Sequence, residues 1–495
     1  MRLRISKRRS LSTTVFVVLA TAFAVVAAAC APHFPPPANS RALRSPAPVG
    51  SIAHVDRWLV DSTGRVVMPR GVNFVMKNAP YYPAAAGFND DDATWIAQNG
   101  FEAVRLGFTA TGLMPTPGVI DQQLLARIGQ TVDVLTRHGL YVLLDLHQDG
   151  WGERANGEPL GSDGFPEWMT LTRGATNTHT GFPLYYVTNP AIQAEFQSLW
   201  DNDNGPDGLP LQSQVATMFG ALAAKFGSNP RVLGYDVFNE PWPGTNTGSC
   251  LSPGCPDLDH AWLDPLYAQV NTAVRAHDRK HIVFGEPFVL FNFGPPTAMS
   301  LPGNDARNGM SFHMYTATPT AEPTLVQHAL DWAASTKGAL LNTEWGATTD
   351  TAAITRQADE LDGALIPWMY WSYDEEIVPN LHETPGGTNL TPQASAIIRP
   401  HAVVIAGTPS AMHFDAATKA FDFSWSTTRA GGGHFAGAAV TSVSLPPLVY
   451  PDGYTVTATN ARVTSKPCAS TLTLVASPHA QNVSVHVTPG GDCGH

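Results

Sequence analysis

Val232-Leu233-Gly234-Tyr235-Asp236-Val237-Phe238-Asn239-Glu240-Pro241-Trp242 starts as an apolar run and ends on a carboxamide, a carboxyl and a proline. Near-continuous apolar residues, without alternation, mark a parallel strand covered on both faces. Pro241 has no N–H for a ladder, so the run stops there. Asn239 and Glu240 are left at the C-terminal end of the strand. A chemically capable pair after an inert strand is the pattern of a barrel that reacts at the C-terminal face of its sheet.

Seven further runs repeat the pattern: Val66–Val75, Ala103–Phe108, Tyr141–His147, Ile282–Glu286, Met310–Tyr315, Leu340–Trp345 and Ile366–Tyr373. Helical stretches such as Asp121–His138, Leu211–Phe226 and Pro265–His277 fall between them. Eight strand–helix units over roughly 350 residues give an α/β fold, a (β/α)8 TIM barrel with insertions, expected over residues 51–400. After Pro400 the period changes to two, in Phe421–Ser426, Tyr454–Thr457, Thr471–Leu474 and Val483–Val487, with turns at Pro451-Asp452-Gly453 and Gly431–Gly433. Residues 401–495 are therefore expected to form a small C-terminal antiparallel β-sandwich domain.

Residues 1–30 pair a basic stretch (Arg2, Arg4, Lys7, Arg8, Arg9) with an apolar run from Val15 to Ala29, which reads as an export signal. Arg8-Arg9-Ser10-Leu11 resembles a twin-arginine signal, and both export routes stay open. Ala27-Ala28-Ala29-Cys30 resembles a lipoprotein box with Ala27 in place of the usual Leu; a lipid anchor on Cys30 and simple cleavage after Ala29 are both open. The Pro- and Ala-rich residues 31–50 are expected to be an extended tether. The protein is expected to be exported, extracellular or attached to the cell envelope. Four cysteines remain, and an even number in an oxidising compartment suggests Cys250–Cys255 and Cys468–Cys493 disulfides. A zinc pair at Cys250 and Cys255 lacks a second Cys or His pair at ligand spacing. No metal and no cofactor are expected, and a monomer is expected.

Residues 1–29 hold five basic and no acidic residues. Without them 24 basic groups face 41 acidic ones, a formal charge of −17. That argues against nucleic acid or an anionic membrane as the target. The 12 Trp, 12 Tyr and 22 Phe suit sugar rings, although most aromatics are core.

The strand ends gather the chemistry: Arg105 from the second, His147 and Asp149 from the third, Asn239 and Glu240 from the fourth, His313 and Tyr315 from the sixth, Glu344 from the seventh and Trp371 from the eighth. Glycoside hydrolysis needs two carboxyls flanking one bond, one protonated and one ionised. Glu240 and Glu344, on strands nearly opposite each other, are expected to be that pair, about 5–5.5 Å apart if configuration is retained. Tyr315 is placed to donate to Glu344, Asn239 to hold a sugar 2-hydroxyl, and Arg105 with His147 to separate the two pKa values. Glu286-Pro287 is the rival strand end, read here as a supporting or sugar-binding group. His147 and Asp149 form a poor metal signal.

The run Gly234 to Trp242 resembles the acid/base signature of glycoside hydrolase family 5. Arg105, His147, Asn239, Glu240, His313, Tyr315, Glu344 and Trp371 match that family's active-site set in order, and the likeness covers residues 52–400. Three segments are similar to its endoglycoceramidase branch: Gly71-Val72-Asn73 with Lys77 and Pro80-Tyr81; Leu144-Asp145-Leu146-His147-Gln148-Asp149; and Phe238-Asn239-Glu240-Pro241-Trp242-Pro243-Gly244. The family implies retention, with Glu240 as acid/base and Glu344 as nucleophile. The branch implies a C-terminal β-sandwich, glycosphingolipid substrates cut between oligosaccharide and ceramide, and Lys77 and Asp149 as sugar contacts. A ceramide leaving group needs an apolar groove. Trp151, Phe165, Trp168, Met169, Phe182, Tyr185, Tyr186 and Trp200 in the long third insertion, and Phe288–Phe293 after strand five, are its candidates. Two alternatives remain: a family 5 hydrolase of another β-linked substrate (glucan, mannan, alkyl glycoside), and a non-catalytic carbohydrate-binding surface protein.

Overall fold

A computed structural model describes residues 41–495 except 251–253, 317, 387–389, 436, 492 and 494–495. The expected export signal and Cys30 lie outside the described residues. Eight parallel strands close a barrel: β1 (Arg70–Val75), β2 (Ala103–Phe108), β3 (Tyr141–Leu146), β4 (Val232–Asp236), β5 (Ile282–Gly285), β6 (Gly309–Met314), β7 (Ala339–Trp345) and β8 (Trp368–Tyr370). Every residue in them is buried, which is why the runs carry no polar alternation. Helices Gln122–Arg137, Leu211–Phe226, Asp264–Arg275, Glu322–Thr336 and Thr351–Gly363 lie among the connections. Two of these helices are started by aspartates: Asp121 accepts from the N–H groups of Gln123 and Leu124, and Asp350 from those of Ala352 and Ala353. Gly234 is required by close approach, since a Cβ there would lie 2.3 Å from Ile282 O on the adjoining strand.

The first expected strand is broken. Pro69 interrupts Val66–Val75, and only Arg70–Val75 enters the barrel. Val66 and Val67 pair instead with Ile405 and Val404. With Ala53–Val55 and Trp58–Val60 they form one edge of a seven-stranded sheet whose other strands are His401–Ile405, Val440–Ser444, Thr471–Ala476 and Ala461–Val463. A second sheet of four strands (Thr408–Phe414, Phe421–Ser426, Asn482–Pro489, Tyr454–Thr459) carries the period-two pattern, with burial alternating along Phe421–Ser426. Residues 53–67 thus belong to the C-terminal sheet, not to the barrel. Ile52, Leu59 and Val67 reach the floor of the barrel, where they pack against Ala103, Tyr141, Leu233, Ile282, Ala339 and Met369 from the strands. Burying each such aliphatic side chain contributes about 2 kcal/mol.

Residues 41–50 are not a free tether. Leu43 packs on Ala406 and Ala439. The wholly buried Arg65 donates to the carbonyls of Ser45 (2.5 Å) and Ala47 (3.0 Å) while paired with Asp61 at 2.7 Å. A buried guanidinium must fill its fork, and these carbonyls fill it. Both expected disulfides form, Cys250–Cys255 and Cys468–Cys493. Among the described residues no helix is long and apolar enough to cross a membrane.

Candidate active site

Arg105 organises the mouth of the barrel. It projects from β2 and is wholly buried. Its Nε donates to Asp236 (2.8 Å), Nη2 to Asp145 (2.9 Å) and Asn239 (3.0 Å), and Nη1 to Glu344 Oε1 (2.5 Å). A further bond runs from Nη1 to Asn73 (3.3 Å), so the five donors of a rigid fork serve five side chains carried by four strands, β1, β3, β4 and β7. Asn239 gives one amide hydrogen to Gln148 O at 3.0 Å and keeps a second. Gln148 in turn donates to the carbonyls of Asn239 (2.7 Å) and Glu240 (3.1 Å). These bonds hold Glu240 in a left-handed backbone, φ +48°, a conformation that costs about 1 kcal/mol outside glycine.

Glu344 reaches the same space from β7. The β6–β7 ladder slips by one residue after Phe312, and that irregularity sets His313 opposite Glu344. One oxygen of each carboxyl and a ring nitrogen of His313 all lie within 4.8 Å of one another. The nearest carboxyl oxygens are therefore spaced for retention and too close for the intervening water of an inverting site. A trio of two carboxyls and an imidazole can also ligate a metal. Here its atoms already have Arg105, Tyr315 and Asn292 as partners.

The two carboxyls are treated differently. Burial and the charge of Asp149 push Glu240 up to about 7. Its side-chain partners are uncharged: the Asn292 amide (2.7 Å) and His313 Nδ1 (2.9 Å), both on Oε1. Burial pushes His313 down to about 3, so it is neutral. Burial raises Glu344 too, against the charges of Arg105 and His147. Its oxygens receive the Arg105 guanidinium and, at 3.0 Å, the Tyr315 hydroxyl, donors that favour the carboxylate. The arrangement keeps a proton on Glu240 near neutral pH and leaves Glu344 the better anion.

Beside them lies a cavity of about 740 Å³ lined by Glu240, Glu344, Lys77, His147, Asp149, Tyr315 and Trp371. His147 stacks on Trp371 with centroids 5.2 Å apart, and Lys77 Nζ lies 4.6 Å over the same indole. Lys77 pairs with Asp149 at 2.5 Å. Burial opposes the His147 charge, but Asp145 and Asp149 raise it to about 10. Apolar residues line the rest of the cavity: Phe182, Leu184, Val187, Trp242, Val289, Leu290 and Phe293. The insertion aromatics divide. Tyr185 and Tyr186 also line the cavity, whereas Trp151, Phe165, Met169 and Trp200 are core.

Residues 60–376 match the family described as cellulase (glycosyl hydrolase family 5), and residues 399–488 match its C-terminal domain. The chain belongs to glycoside hydrolase family 5. Endoglycoceramidase I of Rhodococcus hoagii is 32% identical over 475 residues, 90% of this chain and 90% of that one. An endoglycoceramidase of Hydra vulgaris is 27% identical over 80% of each chain. Among solved structures, Endo-glycoceramidase II from Rhodococcus sp., described as a lactosyl–enzyme intermediate, superposes with a TM-score of 0.70 at 25% identity, covering 89% of this chain and 100% of that one.

This family 5 enzyme hydrolyses O-glycosyl bonds, and its mouth gathers all ten residues singled out for the site. Others escaped the sequence reading. Asn292 was one polar residue inside the apolar run Phe288–Phe293, a signal that was there to be seen. Asp163 lines the cavity from an irregular segment and Glu375 from the short helical turn Tyr373–Ile377; no periodicity marks either. Glu286 is wholly buried and is not among the cavity-lining residues. It supports Glu240 by accepting its backbone N–H at 3.0 Å and is no sugar contact.

Proposed function

We propose that this enzyme cleaves the β-glycosidic bond between oligosaccharide and ceramide in glycosphingolipids, with retention of configuration. The observation that carries the reading is the divided cavity. Lys77, His147, Asp149, Asp163, Trp371 and Glu375 form a hydrogen-bonding pole with an indole floor, suited to sugar. The apolar residues gather beside Glu240, through Trp242 two residues on and the Val289–Phe293 turn that also carries Asn292. Four of them stand open to solvent: Phe182 (66%), Leu184 (61%), Val187 (53%) and Phe293 (53%). A sugar polymer would need polar groups and ring platforms on both sides of the cut. A lipid aglycone needs apolar surface on one side. The endoglycoceramidase relatives support the same substrate class.

Glu240 protonates the glycosidic oxygen while Glu344 attacks the anomeric carbon to form a glycosyl–enzyme. Glu240 then takes a proton from water, which displaces Glu344. A lactosyl–enzyme intermediate, as named for the Rhodococcus relative, is the species this route forms from a lactoside. Arg105 and Tyr315 hold the nucleophile. Asn239, His147, Lys77, Asp149 and Trp371 hold the sugar.

The test is incubation with a lactosylceramide-type lipid. Free ceramide and intact disaccharide are expected; monosaccharides released singly, or activity on polysaccharide alone, would overturn the assignment. The reading includes export, for which the two disulfides speak. Intact mass of the mature N-terminus separates acylated Cys30 from cleavage after Ala29.

A further inference from the structure

Glu286 ends β5, is fully buried, and stands behind the catalytic acid rather than in the cavity. Its Oε2 accepts the backbone N–H of Glu240 at 3.0 Å. Its Oε1 faces His313 Nε2 at 3.3 Å, and neither of these two atoms has a hydrogen-bond partner elsewhere among the described residues. On the other side of the ring, His313 Nδ1 lies 2.9 Å from Glu240 Oε1 and 3.5 Å from Glu344 Oε2. Asn292 Nδ2 donates to the same Glu240 Oε1 at 2.7 Å. One buried carboxyl is thus a single imidazole away from both reacting groups.

The direction of each hydrogen bond follows from counting protons. His313 is neutral and has one N–H and one lone pair. Burial, with Asp236 and Glu240 nearby, pushes Glu286 well up, so it carries an O–H. Oε2 of Glu286 is engaged as the acceptor for Glu240 N–H, which puts the hydroxyl on Oε1, aimed at His313 Nε2. Nε2 is then the acceptor and the ring's hydrogen is on Nδ1. Glu240 Oε1 receives that hydrogen and one from Asn292. An oxygen taking two donors is the carbonyl oxygen of the acid.

We propose that Glu286 is a positioning residue that acts through His313, together with Asn292, to confine the proton Glu240 delivers to its Oε2. The inference rests on Glu240 being the acid. In the step it serves, the Glu240 Oε2–H bond breaks and the glycosidic oxygen gains the proton. The C1–O bond breaks with its electron pair going to that oxygen, and a Glu344 oxygen bonds C1. The bond from Glu240 N–H to Glu286 also holds the left-handed backbone that aims the acid. The other groups facing Glu240 are Lys77, Arg105, His147 and Asp149, carried by β1, β2 and β3 or the chain just after them, Tyr185 and Tyr186 from the insertion after β3, Tyr315 after β6 and Glu344 from β7. Substitution at 286 leaves them all in place.

The test uses two β-lactosides, one with an alkyl alcohol that must be protonated to leave and one with dinitrophenol that need not be. Glu286→Gln keeps both bonds, its carbonyl accepting from Glu240 N–H and its amide donating to His313 Nε2. It is expected to stay within about threefold of the parent, whereas Glu286→Leu loses about 10²-fold in kcat on the alkyl lactoside and under about threefold on the dinitrophenyl lactoside, with KM unchanged. The alkaline limb of the Glu286→Leu profile moves up, because His313 Nδ1 becomes an acceptor that holds the Glu240 proton on the wrong oxygen. Equal losses on both substrates would show a merely structural role and overturn the proposal, as would a Gln variant as poor as the Leu variant. Glu240→Gln is the control. If it shows no dependence on the leaving group, the acid assignment falls and this proposal with it. If it does and Glu286→Leu does not, this proposal alone falls.

Discussion

Asp149→Asn tests the electrostatics of the acid without touching it. Burial is the larger cause of the high Glu240 pKa, and the Asp149 charge is the next. At about 7 rather than 4.5, Glu240 is about half protonated at pH 7 instead of about 0.3%, an advantage of roughly 150-fold in active acid, or about 3 kcal/mol. An anion nearby disfavours a second anion, so removing Asp149 lowers the Glu240 pKa. The substitution also leaves Lys77 without its 2.5 Å partner, and His147, held near 10 partly by Asp149, keeps Asp145. Both cations then act on Glu240 in the same downward direction. A fall of about one pH unit is expected, which takes the acid fraction at pH 7 from about a half to about a tenth. The assay is kcat/KM against pH, which reports the free enzyme. On an alkyl lactoside the alkaline limb should slide from near pH 7 toward pH 6, with an additional loss at all pH from the missing sugar contact. An unmoved limb, or one displaced upward, would refute the electrostatic account of the acid.

Glu344→Gln should abolish turnover, by at least about 10⁴-fold, with the melting temperature preserved; near-normal rates would remove Glu344 from the mechanism. Arg105→Met strands Asp145 and Asp236 in the barrel, and chemical denaturation should report a loss of about 3–5 kcal/mol. Little loss would mean those aspartates are satisfied otherwise. Leu184→Ser combined with Phe293→Ser should raise KM for a long-chain lipid aglycone about tenfold and leave a soluble aryl lactoside unchanged. Equal KM changes on both substrates would detach the apolar rim from the aglycone.

The barrel was legible because its strands are covered on both faces. Ala103–Phe108 and Leu211–Phe226 keep their expected limits, and the departures elsewhere have local causes. Pro69 splits a run that looked continuous. Val66–Val67, before it, pairs with Val404 and Ile405 more than 330 residues away and brings the adjoining strands Trp58–Val60 and Ala53–Val55 into the same sheet, and no local pattern announces such a pairing. The site was legible where a polar side chain sits within an apolar strand or directly after it: Arg105, His313 and Glu344 within, His147, Asn239 and Glu240 after. It was illegible where geometry alone decides. The register slip beside His313 adds no unusual residue, Asp163 comes from irregular chain, and Glu375 from a helical turn of five residues, too short to show a period. Glu286 carried the right composition for the wrong role, since only its full burial tells a support from a ligand.

The sheet that begins at Ala53 and resumes at His401 also seals the underside of the barrel with Ile52, Leu59 and Val67. The hydrolytic half is therefore no cassette. Cutting the gene after residue 400 would leave that stopper with an unpaired edge beneath an otherwise intact active centre. During synthesis the stopper cannot find its partner strand until His401–Ile405 has been made, so the underside of the barrel is closed late. Attempts to graft this catalyst onto another carrier should move both ends together.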